Sequence, residues 1–506
     1  MLANQDQLGD VYPKSVWQRL WFLRSEPLIL TRWLFLRALG LIYLTAFLSL
    51  LPQILGLVGS NGIVPAVQTL DAVKAQDLSF TNYPTLMWLN SSDAFLQFLC
   101  IGGAGLAILV ILGVFTAPAL FGCWLFYLSL VISGDIFLGY QWDVMLLEVG
   151  FLAIFLAPLT ILPRVEKETP PSMIVVWLMR WLLFRVMFSS GLVKLLSHDE
   201  TWANLTALPI HYETQPLPTP LAWYFFHLPQ PFHTLSVVMV FVIELFVPFL
   251  FFAPRKLRFV GALATVFLQV LILLTGNYTF FNWLTITLCI LLLDDDFLRR
   301  VFPTSMVEKA QRAMQHPIPR WRKFVTVPLA VLILILSGTV MASYFIPFRR
   351  LPQPAIELFR VTAPFMLANR YGLFAVMTTS RPEIIIEGSN DGETWLAYEF
   401  PYKAGDVYRT PSFVAPHQPR LDWQMWFAAL SSAEANPWFG SFMEHLARGT
   451  PEVLALLAYN PFPYAPPRQL RALIYNYRFT TPEEHAADGA WWRRELIGTY
   501  YPTPRF

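Results

Sequence analysis

A chain of 506 residues with a mean hydropathy of +0.48, 55% of it hydrophobic and only 14% charged, is a membrane protein by composition, because soluble chains carry about 25% charged residues. Thirty-six Lys and Arg against 34 Asp and Glu leave a net charge of +2, too weak a basic field to gather DNA or RNA, so nucleic acid is excluded as a partner. The three cysteines, Cys100, Cys123 and Cys289, lie inside apolar runs with no metal-ligand spacing, which argues against thiol redox chemistry, a disulfide framework or a structural zinc.

At the N-terminus Asp6 and Asp10 precede Lys14, the wrong order for a removable signal peptide, so the first apolar segment is expected to stay as an anchor. Apolar runs near 33–52, 94–112, 119–134, 143–162, 173–196, 234–253, 259–275, 278–293 and 324–346 predict about nine spans, the eighth of them short. Charge gives an independent check. With the N-terminus inside, the cytoplasmic stretches collect sixteen basic residues, while the loops assigned outside hold one, Lys74. That positive-inside bias predicts a cytoplasmic segment over 1–32, a helical membrane bundle over 33–346 and an extracytoplasmic domain over 347–506. Within the bundle, Gly102-Gly103-x-Gly105 has no strand before it and reads as a site of close helix packing rather than a nucleotide loop.

The last 160 residues balance fifteen basic against fifteen acidic residues and contain no run of spanning length. Glu383–Glu387 and Trp395–Phe400 read as strands flanking Ser389-Asn390-Asp391-Gly392, residues that tolerate the positive φ of a tight turn. The segment from Leu473 to Phe479 reads as a further strand. Trp438, Phe439, Phe442, Met443 and Leu446 repeat at helical spacing after Asn436-Pro437, a cap and first-turn pair. A mainly β, sandwich-like domain with at least one helix is expected, with most of its dense aromatics in the core.

The run Gln141-Trp142-Asp143-Val144-Met145-Leu146-Leu147-Glu148-Val149-Gly150 resembles the lipase maturation factor family. The likeness continues in Arg180-Trp181-Leu182-Leu183-Phe184-Arg185, Ser190-Gly191-Leu192-Val193-Lys194, Leu205-Thr206-Ala207, and His211-Tyr212-Glu213-Thr214-Gln215-Pro216-Leu217-Pro218-Thr219-Pro220. It returns at Gly276-Asn277-Tyr278, at Phe281-Asn282, and in the closing motifs Pro466-Pro467-Arg468, Tyr475-Asn476-Tyr477-Arg478-Phe479-Thr480 and Trp491-Trp492-Arg493-Arg494. The resemblance implies a multi-pass membrane protein that helps secreted lipases reach an active, assembled state. It also implies distant kinship of the membrane portion with the vitamin K-dependent carboxylase type of helical bundle. The chain suits a bacterial inner membrane, with the endoplasmic reticulum as the alternative.

Asp143 and Glu148 sit five apart at the entry of a span, about 140° apart around a helix, so they are not a facing catalytic pair. Buried carboxylates need partners, and Arg180, Arg185 and Lys194 on the following span are the expected cations; Glu148 is assigned to Arg185. Glu244 and Gln269 are weaker cases of the same argument. Lys194 reads either as a lysine snorkelling to the interface or as a desolvated base. The 197–233 loop carries His198, Asp199, Glu200, His211, Glu213, His227 and His233, but its spacing does not suit a metal. His211 is a weak candidate for a general base. The loop, stiffened by Pro209, Pro216, Pro218 and Pro220, is instead expected as a surface element over the mouth of the bundle, presenting Asn204, His211, Tyr212, Glu213, Thr214 and Gln215 to a client, with Gln141, Trp142, Asn277 and Asn282 as further motif residues.

No catalytic constellation and no cofactor motif stands out. The leading reading is a maturation factor, seated in the lipid bilayer, for a secreted client protein such as a lipase. The alternative is an integral-membrane enzyme or small-molecule binder with its site between the spans near Asp143, Glu148, Arg185, Lys194 and His211. A ligand-sized cavity touching those five residues favours the alternative, and a bundle of paired charges favours the factor.

Overall fold

The structure, a computed structural model, describes residues 26–502. Lys14, Arg19 and Arg24, and most of the expected cytoplasmic segment, lie outside the described residues. All nine expected spans are helical. Seven are long and apolar enough to cross a membrane, starting with α1 (Ile29–Leu50), α2 (Asp93–Leu112) and α3 (Thr116–Gly134, prolonged to Phe137). They continue with α5 (Met173–Leu196), α7 (Gln230–Phe241, prolonged to Phe252), α8 (Arg255–Thr275) and α10 (Trp321–Ala342). Between them, α4 (Gln141–Leu156) has 16 residues and α9 (Phe281–Ile290) only 10, shorter than the roughly 20 a free span needs. Both are mostly buried among their neighbours. Gly103 on α2 lets Phe47 of α1 press against the backbone, the close packing that the glycine run predicts.

Connections alternate between the two ends of the bundle. At one end the basic residues find acidic partners: Arg32 pairs with Glu168 at 2.6 Å, and Glu26 accepts from Arg180 at 3.0 Å and from Arg258 at 2.9 Å. Asp295 accepts the free N–H groups of Ile29 and Thr31 at the start of α1, a helix N-terminus held by a carboxylate.

The opposite end carries the loop helix α6 (Ala207–Thr214) and the C-terminal region, whose helices include α11 (Arg420–Ala429) and α12 (Pro437–Arg448). Its four strands are β1 (Arg381–Ser389), β2 (Leu396–Ala397), β3 (Gln469–Phe479) and β4 (Trp492–Tyr501), antiparallel in the order β2-β1-β3-β4. The expected hairpin closes with Glu387 opposite Ala397. Pro437 opens α12 as expected, and its five repeating apolar residues are all buried, but Asn436 gives no side-chain cap and turns its amide to Ser431, Ser432 and Tyr500 instead.

The sandwich expectation is corrected here to a single sheet. The consecutive Ile384, Ile385 and Ile386 are all buried because β1 is covered on both faces. Ile384 and Ile386 join a core with Trp423 and Met425 of α11 and Phe439 and Phe442 of α12. Ile385 packs with Tyr212 and Trp223, residues of the loop that leaves the bundle. The layer expected to be a second sheet is thus supplied on one side by helices and on the other by the membrane domain.

Candidate functional site

Besides Arg32–Glu168, three further buried ion pairs stand within or at the rim of the bundle among the described residues. Glu148 on α4 and Arg185 on α5 pair as the sequence predicts, and Glu148 also accepts from the Asn369 backbone at 3.0 Å, the Asn369 amide at 3.2 Å and the Tyr371 hydroxyl at 2.8 Å. Asp143 corrects the expectation, because its cation comes from none of Arg180, Arg185 or Lys194. The Arg420 guanidinium, at the start of α11, donates to both Asp143 oxygens at 2.9 and 3.0 Å and to the Phe137 carbonyl at 2.7 Å, while Tyr127 donates to the same carboxylate. Burial opposes the charge on Arg420, yet Asp143 and Tyr127 hold its pKa above the usual value.

Lys194 does not snorkel. It is buried and bonds to both oxygens of Glu244, at 2.7 and 3.0 Å, and to the Ser190 carbonyl at 3.1 Å. Glu244 reaches it from a π-helical turn, Val242–Phe246, that continues α7, and Gly191 makes the approach possible: a Cβ there would stand 2.9 Å from that of Glu244.

The loop expected as a free surface is an interlayer. His211, Tyr212, Glu213 and Thr214 lie on α6, and Tyr212, Thr214 and Gln215 are buried against the C-terminal sheet. The buried Arg381 of β1 donates to the carbonyls of Glu213, Gln215 and Pro216, three acceptors that the turn after α6 leaves without helical donors. Glu213 in turn accepts the Phe479 N–H at 2.8 Å, and burial raises its pKa. Trp426 of α11 donates to the Thr214 carbonyl at 3.0 Å. These polar contacts and the apolar layer beside them seat the C-terminal region on the membrane domain.

Between α5, α7, α8 and α9 lies a cavity of about 110 Å³, whose wall includes Lys194, Glu244 and His211. Asp143, Glu148 and Arg185 do not reach it, so of the five residues expected to converge only two do. Tyr278 donates to Gln215 at 2.7 Å and contacts His211 Nε2 at 2.7 Å. Burial, with Lys194 nearby, pushes the His211 pKa down to about 3. Among the described residues no three His, Cys, Asp or Glu side chains come together as a set for a metal.

Against known proteins, residues 30–300 match the model of the lipase maturation factor transmembrane domain and residues 367–502 that of the lipase maturation factor C-terminal domain. The chain belongs to the lipase maturation factor family. It is 38% identical to lipase maturation factor 2 of Gallus gallus, covering 95% of this chain and 82% of that one, and 38% identical to lipase maturation factor 2 of Homo sapiens, covering 94% and 82%. Lipase maturation factor 1 of Mus musculus is 36% identical over 96% of this chain and 88% of that one. No solved structure matches. These relatives are animal proteins and give no support to the bacterial inner-membrane reading.

The resemblance motifs of this lipase maturation factor family member fall mainly at the junction of its two parts. Gln141 accepts the Gly372 N–H at 3.0 Å, and Trp142 stacks on Tyr140 and meets the edge of Trp423 from α11. Asn277 is fully used, donating to the Leu217 and Ser412 carbonyls and accepting from Val414 and Ala415. Asn282 lines the cavity, whereas Asn204 is exposed at the end of a short helix, Glu200–Ala203. Arg180 stands at the opposite end of the bundle. Sequence reasoning missed Arg420 and Arg381, which sit in the region read as water-facing and carry no local signal of a membrane partner.

Proposed function

We propose that this protein is a membrane-embedded maturation factor for a secreted lipase, with residues 347–506 as a domain on the side of the membrane opposite the basic loops, facing the lumen of a secretory compartment. The relatives' names supply the client class. The observation that carries the architecture is the junction itself: Arg420 on Asp143 and Arg381 on the turn after α6 fix the C-terminal region to one end of the bundle, so a client meets a pre-organised surface and not a tethered module. Since Tyr212, Thr214 and Gln215 are buried in that junction, the contact surface lies on what remains open. The strand β4, which among the described residues pairs with no strand but β3, is a sheet edge bearing the exposed Leu496 and Ile497. Such an edge offers both backbone hydrogen bonds and apolar side chains to an unfinished chain.

The test is complementation. Cells lacking their own family member, given this protein and a secreted lipase, should release active lipase. Leu496→Asp with Ile497→Asp should lower the active fraction at least fivefold while the factor accumulates normally. Equal specific activity of secreted lipase with and without the factor would refute the maturation role, and full activity with the double variant would refute the edge.

A further inference from the structure

The cavity between α5, α7, α8 and α9 has a polar arrangement that the maturation role does not use. Most of its wall is aliphatic or aromatic, including Val186, Met187, Leu268 and Phe374. Its charges cancel internally. Lys194 spends its three ammonium hydrogens on Ser190 and the two Glu244 oxygens, so no free charge faces the space.

What remains unmatched is a set of acceptors. Asn282 is 1% exposed and lines the cavity; its Nδ2 donates to Gln269 Oε1 at 2.7 Å, but its Oδ1 has no partner. A buried, unpartnered amide oxygen is destabilising, so its retention asks for a donor. His211 adds a second acceptor by elimination. Gln215 Nε2 donates to the carbonyls of Tyr212 and Thr275, which makes Oε1 the acceptor of the Tyr278 hydroxyl hydrogen. A phenol has one hydrogen to give, so in the 2.7 Å contact with Tyr278 it is His211 Nε2–H that donates. The neutral imidazole is left with Nδ1 as a bare acceptor, and Nδ1 makes no hydrogen bond within the described residues.

We propose that this cavity binds the hydroxyl end of a neutral amphiphile, a lipid alcohol or glyceride, with the hydroxyl donating to Asn282 Oδ1 or His211 Nδ1 and the first carbons of the chain lying on the apolar wall. Neutrality follows from the cancelled charges, since a carboxylate would face two acceptors and an ammonium would enter a desolvated site whose one carboxylate is already paired. The volume, about 110 Å³, suits a head and a few carbons rather than a whole lipid. Entry is from the bilayer: the wall residues Val240 on α7 and Ile272 on α8 are half-buried, and their neighbours Met239, Val242, Val270 and Leu274 are exposed on the outer face.

The experiment uses the full chain in phosphatidylcholine nanodiscs and a diazirine-bearing octanol as photoprobe. Labelling should be saturable, map to α5 and α9, and be competed by octanol at concentrations at least tenfold below those needed with octanoate, octylamine or nonane. Asn282→Leu should weaken labelling about tenfold, and Val240→Trp, which fills the space and leaves Asn282 in place, should abolish it; both are read on monodisperse protein with an unchanged thermal midpoint. Should Asn282→Leu fail to fold, the competition series and Val240→Trp decide. Nonane competing as well as octanol, a charged homologue competing better, or unsaturable labelling would each overturn the proposal. None of these readouts involves lipase, so failure here is separate from failure of the maturation role.

Discussion

Glu148 shows how a carboxylate survives inside a membrane bundle: it accepts from Arg185, from the backbone and side chain of Asn369 and from Tyr371, so both of its oxygens are hydrogen-bonded. Removing one member of such a pair leaves a buried charge, at a cost of about 3–5 kcal/mol, whereas removing both leaves none. Glu148→Gln and Arg185→Gln should therefore each lower thermal stability more than the double variant does, and additive losses would show that the two are not coupled. His211 makes a pH-dependent contribution. Its pKa in the folded protein, about 3, lies below the ordinary 6.5, so the unfolded chain takes up a proton first as pH falls, and stability is lost from pH 6.5 downward at up to about 1.4 kcal/mol per unit. Asp422 works the other way, with burial raising its pKa to about 6, so only the difference between proteins isolates the histidine. Thermal midpoints measured from pH 7.5 to 5 should fall more steeply in the wild type than in His211→Gln, and parallel curves would contradict the assignment.

At the scale of elements, the junction is held where helix ends and turns leave backbone groups without partners. Arg420 serves the Phe137 carbonyl just after α3 and the carboxylate at the start of α4, and Arg381 serves the turn after α6. Arg420→Met should expose the chain between α10 and β1 to limited proteolysis and destabilise the protein by several kcal/mol, with Asp143→Asn restoring part of the loss. Uniform resistance in all three proteins would place the strength of the junction elsewhere. The helical spans and the Glu148–Arg185 pair were legible in the sequence because apolar runs and the rarity of charge within them are local signals. The β1–β2 hairpin, β3 and α12 were legible for the same reason. The number of sheets was not, because the triple isoleucine of β1 reports burial on both faces without saying what covers them. Nor was the partner of Asp143, since Arg420 lies far along the chain from any span, in a segment whose charges balance and which carries no local sign of a membrane contact. The loop prolines suit a braced surface, yet that stretch is packed from both sides, a property of the tertiary arrangement alone.

For the whole molecule, the alternating connections place the ion-paired basic end and the C-terminal region at opposite ends of the bundle. With basic loops retained in the cytoplasm, single cysteines at Ser305 and Glu393, both exposed, should react from opposite sides of an intact membrane. The native Cys100, Cys123 and Cys289 are buried and should contribute little background. Reaction of both sites from one side would overturn the arrangement, and with it the side on which a client is met.

The pair between Asp143 and Arg420 also sets an order of events during synthesis. The two residues are 277 positions apart, so α4 must enter the membrane long before its cation has been translated. Until then Asp143 sits at the rim of the bundle without its guanidinium partner. A chain that terminates before residue 420 keeps that defect permanently. Only a chain that extends past residue 420 can make the contact, so the interaction that seats the C-terminal region is also one that chains ending earlier lack.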